Sequence, residues 1–271
     1  MAADSDAPDE QYHLGVRPGD LAETVLLPGN PGRIDTITQF WDRAAEKAHH
    51  REYRTVTGEY DGTPLSATST GIGSPSAAIA VEELARAGAD TLIRVGSTGA
   101  IQPEIAIGDL LITSGAVRQE GTSGEYVCED YPALADREVT GALVAAAERL
   151  GYDYHVGVTM SADSFYAGQG RSGFAGFRAA ESEGLLEELR EANVKNIEME
   201  ASVILTLGTL YDLRAGAICA VYANRSTGEF RTEGDDRAAE TASLAARLLA
   251  KMDRVKAEAG VEYWHPGLSI E

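Results

Sequence analysis

Two short apolar runs, Thr24-Val-Leu-Leu27 and Thr91-Leu-Ile-Arg-Val95, each end abruptly in glycine, in Pro28-Gly-Asn-Pro-Gly32 and Gly96-Ser-Thr-Gly99 respectively. Between them, Ser74 to Arg86 places Ala77, Ala80, Val81, Leu84 and Ala85 at three-and-four spacing. That spacing predicts a helix with one buried face and with Pro75 in its first turn, where the missing donor costs little. The succession of strand, glycine turn, helix, strand and glycine turn calls for crossover units around a parallel or mixed sheet, hence an α/β fold.

The rest of the chain keeps this rhythm. A helix is expected over 33–41, and a hairpin from Tyr53 to Tyr60 across Asp61-Gly62 into 65–68. Strands are expected over 109–116, 155–160 and 214–222, and helices over Arg137 to Leu150, 181–191, from Glu200 to about Thr209, and 235–256. Residues 161–178 mix glycine, aromatic and polar side chains without periodicity and read as a long, ligand-bearing loop. At 271 residues and 44% apolar, one large domain with a polar segment at about 1–10 is expected.

The net charge of −20, from 43 acidic and 23 basic residues, argues against nucleic acid or an anionic membrane as partner, because the long-range field repels phosphate polymers. A small anion must then be held by a local concentration of cations. Few lysines and dispersed acids suit a high-salt, halophilic cytoplasm, where screening relieves self-repulsion. There is no run of about 18 apolar residues and no basic, apolar leader, so a cytoplasmic location is expected. Cys128 and Cys219 form neither a disulfide framework nor a metal-ligand pair, and Cys219 reads as core.

Ligands in α/β sheets collect beyond the carboxyl ends of strands, and unusual polar residues stand at four such ends: 29–33, 94–99, 161–171 and 224–229. Gly29 and Gly32 allow close approach of backbone N–H groups to an anion beside Arg33, and a simple tight turn accounts for the same glycines. Arg94 lies among Leu92, Ile93 and Val95, where a guanidinium needs a partner. Phosphate is one candidate, with Ser97 adding a hydroxyl, and an internal carboxylate such as Glu198 or Glu200 is another. In Glu198-Met199-Glu200, Glu200 suits a pair of ribose hydroxyls and Met199 a sugar face, while helix capping and core packing explain them as well. The dinucleotide fingerprint, the triphosphate loop and the serine-hydrolase elbow are all absent, which leaves a redox cofactor without support.

Taken together, His13-Leu-Gly15, Leu27-Pro-Gly-Asn-Pro31, His50-Arg-Glu52, Ser69-Thr-Gly-Ile-Gly73, 94–102, 163–169, Asn196-Ile-Glu-Met-Glu200 and Asn224-Arg225 resemble, in consistent order, the nucleoside phosphorylase family of hexameric fold, in its uridine-cleaving branch. The resemblance implies a three-layer α/β/α sandwich with a central mixed sheet, assembled as a trimer of dimers. It implies a pentosyltransferase that reversibly converts uridine and phosphate to uracil and ribose 1-phosphate, without a catalytic metal. By the same resemblance, phosphate is held by Gly29, Arg33, Arg94 and Ser97, with Arg51 from the neighbouring subunit. Glu198, Met199 and Glu200 face ribose, His13 of the neighbour nears its 5′-hydroxyl, Gln169 and Arg171 read the pyrimidine, and Phe165 stacks nearby. Arg225 and Glu229 belong to a segment that closes the base pocket, and Glu52, the Ile72 backbone and Ser76 match a structural potassium site.

Three positions depart from the family's pattern: Asn30, Ser97 and Gly170 stand where aspartate, threonine and a larger polar residue are usual. Purine-directed relatives generally carry an aspartate after the late strand, where this chain has Asn224. A purine or broad-specificity phosphorylase remains the alternative enzyme, and a nucleoside-binding protein without turnover the alternative outside enzymes.

Overall fold

The computed structural model describes residues 10–268, so the polar segment at about 1–10 lies, apart from Glu10, outside the described residues. The first half runs β1 (Thr24–Leu27), α1 (Arg33–Thr38), β2 (Arg43–His50), β3 (Tyr53–Tyr60), β4 (Thr63–Thr68), α2 (Ser74–Arg86), β5 (Thr91–Ala100), β6 (Leu110–Gln119) and β7 (Ala133–Leu134). It continues with α3 (Arg137–Leu150), β8 (Tyr154–Ala162), α4 (Leu185–Glu191), β9 (Asn196–Glu198), α5 (Ala201–Leu210), β10 (Arg214–Asn224), β11 (Glu229–Phe230) and α6 (Asp235–Ala259).

The strands form one mixed sheet in the order β11-β10-β6-β8-β9-β5-β1-β4-β3-β2, with β7 on β6. β10 also pairs with β5, so β10, β6, β8, β9 and β5 close into a ring. Strand alternation sorts the core into two layers. Leu26 of β1 packs with Ile34 and Ile37 of α1, Leu143 of α3 and Leu248 of α6, whereas Val25 and Leu27 pack with Val81 and Leu84 of α2 and Ile204 and Leu207 of α5. The three-layer arrangement expected from the family resemblance follows from that split.

Local chemistry fixes several boundaries. Asp136 accepts hydrogen bonds from the Glu138 and Val139 N–H groups, both at 2.9 Å, and so caps α3, which ends at Gly151 in the left-handed region. Asp61 and Gly62 both have positive φ, the conformation a two-residue turn between β3 and β4 requires.

Three expectations are corrected. The first helix stops at Thr38 rather than near Trp41, because Trp41 turns inward to donate from Nε1 to Ser243 Oγ at 3.1 Å and Asp42 N–H joins Glu59 O. β2 was not expected: its side chains are mostly exposed and carry no apolar alternation. The supposed turn at Gly96–Gly99 is strand, since β5 continues through Ala100, paired with β10 as far as Asn224↔Ala100 and with β9 at Gly99↔Ile197.

Candidate active site

A cavity of about 280 Å³ opens beyond the carboxyl end of β1 and against the carboxyl-terminal parts of β5 and β10, close to where the topology predicts a ligand. Its walls are Gly29, Asn30 and Arg33 after β1, Gly71 and Ile72 after β4, and Arg94, Ser97, Thr98 and Gly99 on β5. Opposite them lie Phe165, Gln169 and Arg171 from the loop after β8, Ile197 to Glu200 leading into α5, and Tyr222, Ala223 and Phe230 around β10 and β11.

Arg94 is 4% exposed, and its guanidinium meets both carboxylates that the sequence offered as alternatives to phosphate. Nε lies 2.7 Å from Glu198 Oε2 and Nη2 lies 2.5 Å from Glu200 Oε2. The approach to Glu198 is a charge contact without an aligned hydrogen bond, and the buried Nη1 has no hydrogen-bond partner among the described residues. Internal pairing therefore leaves part of the fork unsatisfied, which for a buried cation is costly. Burial disfavours its charge, but Glu200 and then Glu198 more than compensate, and its pKa is raised. Gly96 makes the space: a Cβ there would stand 2.8 Å from Arg94 Nη2 and 2.8 Å from Cys219 Sγ.

The two glutamates divide their duties. Glu198 Oε2 accepts from the Glu200 and Ala201 N–H groups at 2.8 and 2.9 Å, capping α5, while Oε1 accepts the Ser161 hydroxyl. Glu200 makes no cap bond and instead accepts from Gly73 N–H at 2.5 Å on Oε1. Burial, opposed by Arg94 and reinforced by nearby Glu198, raises the Glu200 pKa above the ordinary carboxylate value. Burial also pushes the Cys219 thiol up to about 12, which suits a core residue and no nucleophile.

On the β1 side, a Cβ at Gly29 would lie 3.1 Å from Gly71 O, so the two loops touch through backbone. Asn30 Oδ1 accepts from Gly32 N–H at 2.9 Å, which steadies the turn. At the other end, Gly170 has φ +66 and folds Arg171 back onto Gln169. Arg171 Nη1 donates to Gln169 Oε1 and, at 2.8 Å, to Phe165 O, and its guanidinium lies 4.0 Å from the Phe165 ring centroid. Burial and the nearby charge of Arg225 lower the Arg171 pKa to about 10. Gln169 is buried, and its amide oxygen is engaged by Arg171, which leaves its amide N–H groups as the donors it can offer a ligand.

The profile of the phosphorylase superfamily matches residues 23–253. The chain belongs to that superfamily. Among phosphorylase-superfamily relatives, it is 58% identical over 258 residues to the uridine phosphorylase of Thermococcus kodakarensis, covering 95% of this chain and 93% of that one. It is 41% identical over 246 residues to the uridine phosphorylase of Escherichia coli, covering 90% and 96%. It is also 42% identical over 234 residues to the guanosine phosphorylase of Halorubrum lacusprofundi, covering 86% and 92%.

For this member of the superfamily, the cavity brings together Gly29, Arg33, Arg94, Ser97, Phe165, Gln169, Arg171, Glu198, Met199 and Glu200 from the sequence-based set. His13 and Arg51 do not line it: His13 Nδ1 is 2.7 Å from Glu83 Oε1, and Arg51 occupies a left-handed turn between β2 and β3 with φ 56. Arg225 stands behind the wall, donating from Nη1 to Gln169 O at 3.0 Å, and Glu229 is exposed on β11. Glu52 and Ser76 adjoin each other at 3.1 Å, and the Ile72 side chain is 79% exposed at the rim. Tyr222 and Phe230 line the cavity without having been singled out from sequence. The position of Tyr222 near the end of β10 was the one available sign of it.

Proposed function

We propose that the chain is a uridine phosphorylase, catalysing reversible phosphorolysis of uridine to uracil and ribose 1-phosphate. The observation that carries this reading is the buried, incompletely satisfied Arg94 fork in a cavity that also holds the Gln169–Arg171 pair. Phosphate supplies the acceptor that Arg94 Nη1 lacks, with Arg33, Ser97 and the Gly29 backbone alongside. Fixing phosphate against C1′ turns a bimolecular encounter into a local one.

As an oxygen of phosphate bonds to C1′, the C1′–N1 bond breaks and its electron pair passes into the pyrimidine. Arg171 and the Gln169 amide N–H donate to the uracil carbonyl oxygens, and these bonds strengthen as negative charge develops there. Glu200 accepts ribose hydroxyls, Met199 packs against the sugar and Phe165 against ring or sugar. Arg225 and Glu229 hold the segment that closes over the base.

The guanosine phosphorylase relative keeps a purine-directed reading in play. Asn224 argues against it: the side chain is buried, donates to Gln102 O at 3.0 Å and Ile105 O at 2.7 Å, and offers no acid to a purine. The test compares uridine, thymidine, cytidine, inosine, guanosine and adenosine with and without phosphate, with ribose 1-phosphate detected directly. Uridine should react only with phosphate present. Turnover of uridine in phosphate-free buffer, or a higher kcat/KM for a purine nucleoside, would overturn the reading.

His13 and Arg51 lie away from their own cavity and complete a neighbour's, in a hexamer built as a trimer of dimers. Structural potassium belongs at Glu52, the Ile72 backbone and Ser76, where carboxylate, carbonyl and hydroxyl oxygens suit a hard cation; it takes no part in the chemistry. No helix among the described residues is long and apolar enough to cross a membrane. We place the protein in a saline cytoplasm, and its unfolding midpoint should rise between low and molar salt.

A further inference from the structure

Arg33 enters the cavity from the first turn of α1, and its guanidinium is held from the far side by β10 and α6. Nη2 donates to the Tyr222 hydroxyl at 2.9 Å, and Nε lies 3.3 Å from Asp235 Oδ2. The Tyr222 hydroxyl in turn donates to that same Asp235 oxygen, which closes a triangle, and the guanidinium sits 5.4 Å from the Tyr222 ring centroid. The triangle stands on fixed backbone. Asp235 follows Gly234, whose φ is +90 and whose Cβ position lies 3.1 Å from Gly108 O, so a side chain there would be both strained and crowded.

The arrangement resembles the one at Arg94. At Arg94, Nε and Nη2 face the carboxylate oxygens of Glu198 and Glu200 and Nη1 is left over, whereas at Arg33 the same two nitrogens meet one carboxylate and one tyrosine hydroxyl. In both arginines the anchored edge of the planar fork is the Nε–Nη2 edge, so the opposite edge is presented along a set direction. A free arginine loses rotamer freedom when it captures an anion, whereas an arginine already held does not.

We propose that Tyr222 and Asp235 are positioning residues that aim Arg33 at phosphate, as Glu198 and Glu200 aim Arg94. The inference rests on the phosphate reading given above. Neither residue donates to the anion. Their effect is on the capture of phosphate, and the binding of nucleoside at the Gln169 end is independent of them.

The test uses the full-length protein and compares Tyr222→Phe, Asp235→Asn and Asp235→Glu, with Arg33→Ala as reference. The readouts are separate KM values for phosphate and uridine, calorimetric binding of inorganic phosphate, and thermal midpoints. Tyr222→Phe keeps the ring and removes only the hydroxyl, so it carries the test even if the Asp235 variants fold poorly. The expected result is a rise of about 5- to 10-fold in KM for phosphate, from the rotamer freedom restored to Arg33. KM for uridine should stay in place, and Asp235→Glu should recover part of the loss. A merely structural role would instead lower the thermal midpoint and raise both KM values together, which would overturn the proposal. So would a fall in phosphate KM in Asp235→Asn, the sign of a carboxylate competing with phosphate. If Arg33→Ala itself leaves phosphate KM unchanged, the phosphate assignment of Arg33 has failed, and that result is read from Arg33→Ala alone.

Discussion

Arg94 Nη2 and Glu200 Oε2 are 2.5 Å apart inside the protein, and Glu198 holds the neighbouring Nε at 2.7 Å. One buried cation thus faces two carboxylates. Burial, with Glu198 adding to it, outweighs Arg94 and shifts the Glu200 pKa upward, and the two carboxylates set against one cation give the fold its stake in Arg94.

Arg94→Ala is expected to lose phosphate-dependent turnover by about 100-fold or more, the scale of a lost electrostatic contact at a transition state. It should also unfold more easily, by about 3–5 kcal/mol, because two buried carboxylates lose their counterion. Turnover at limiting phosphate, together with a melt followed by circular dichroism, measures both. Near-wild-type turnover in a folded variant would remove Arg94 from the phosphate site.

Glu200→Gln should separate stability from activity. The folded pKa of Glu200 is raised, so the folded state binds its proton more tightly than the unfolded chain does. Wild-type stability should therefore fall as pH climbs from the ordinary carboxylate pKa through the raised one. Glutamine imitates the protonated form. The variant should be more stable than wild type at neutral pH, with the difference vanishing in acid, while kcat/KM for uridine drops about 10-fold or more through the lost charged acceptor. Denaturant midpoints from pH 4 upward check the sign.

Gly96→Ala tests the space beneath Arg94. A Cβ only 2.8 Å from both Arg94 Nη2 and Cys219 Sγ must push one of them aside. Overpacking of this kind costs about 1–3 kcal/mol, and displacement of the guanidinium should raise the KM for phosphate more than that for uridine. Equal effects on the two substrates would point to general strain.

The proposed completion of each pocket by a neighbour's Arg51 predicts complementation. Arg51→Ala and Arg94→Ala should each be inactive alone, yet dissociation and reassembly of an equal mixture should restore roughly a quarter of wild-type activity, since half of random pairs are mixed and each holds one intact pocket. A mixture that stays inactive, with mixed oligomers verified by mass, would show that Arg51 serves its own chain.

Much of the fold was legible because periodicity carried it: α2 and α3 occupy the expected residues, and β3 and β4 pair across Asp61-Gly62 as the turn residues dictate. β2 was not legible, since an edge strand bearing Arg43, Glu46, Lys47 and His49 on exposed positions shows no buried face. Gly96 and Gly99 misled in the opposite direction. Both lie within β5, and Gly96 leaves room for Arg94 Nη2 and Cys219 Sγ rather than making a turn, a reason that lies in the neighbours and not in the local sequence. The polar site was read through Arg94, whose burial among Leu92, Ile93 and Val95 demanded a partner. The Tyr222–Asp235 clamp on Arg33 was not, because its members are 189 residues apart in the Arg33–Tyr222 bond.

β5 carries Arg94 within the same ladder that seats Ile93 and Val95 in one core layer and Leu92 in the other, and its register against β10 sets Ala217 opposite Arg94. Side chains alternate across a strand, so a slip by a single position would turn the guanidinium out of its cavity and drive Leu92 and Ile93 into each other's layers. Chemistry and packing cannot come apart at this strand. A preparation in which β5 has mispaired should be found as aggregate rather than as a soluble, silent enzyme, and specific activity becomes a direct count of correctly threaded molecules.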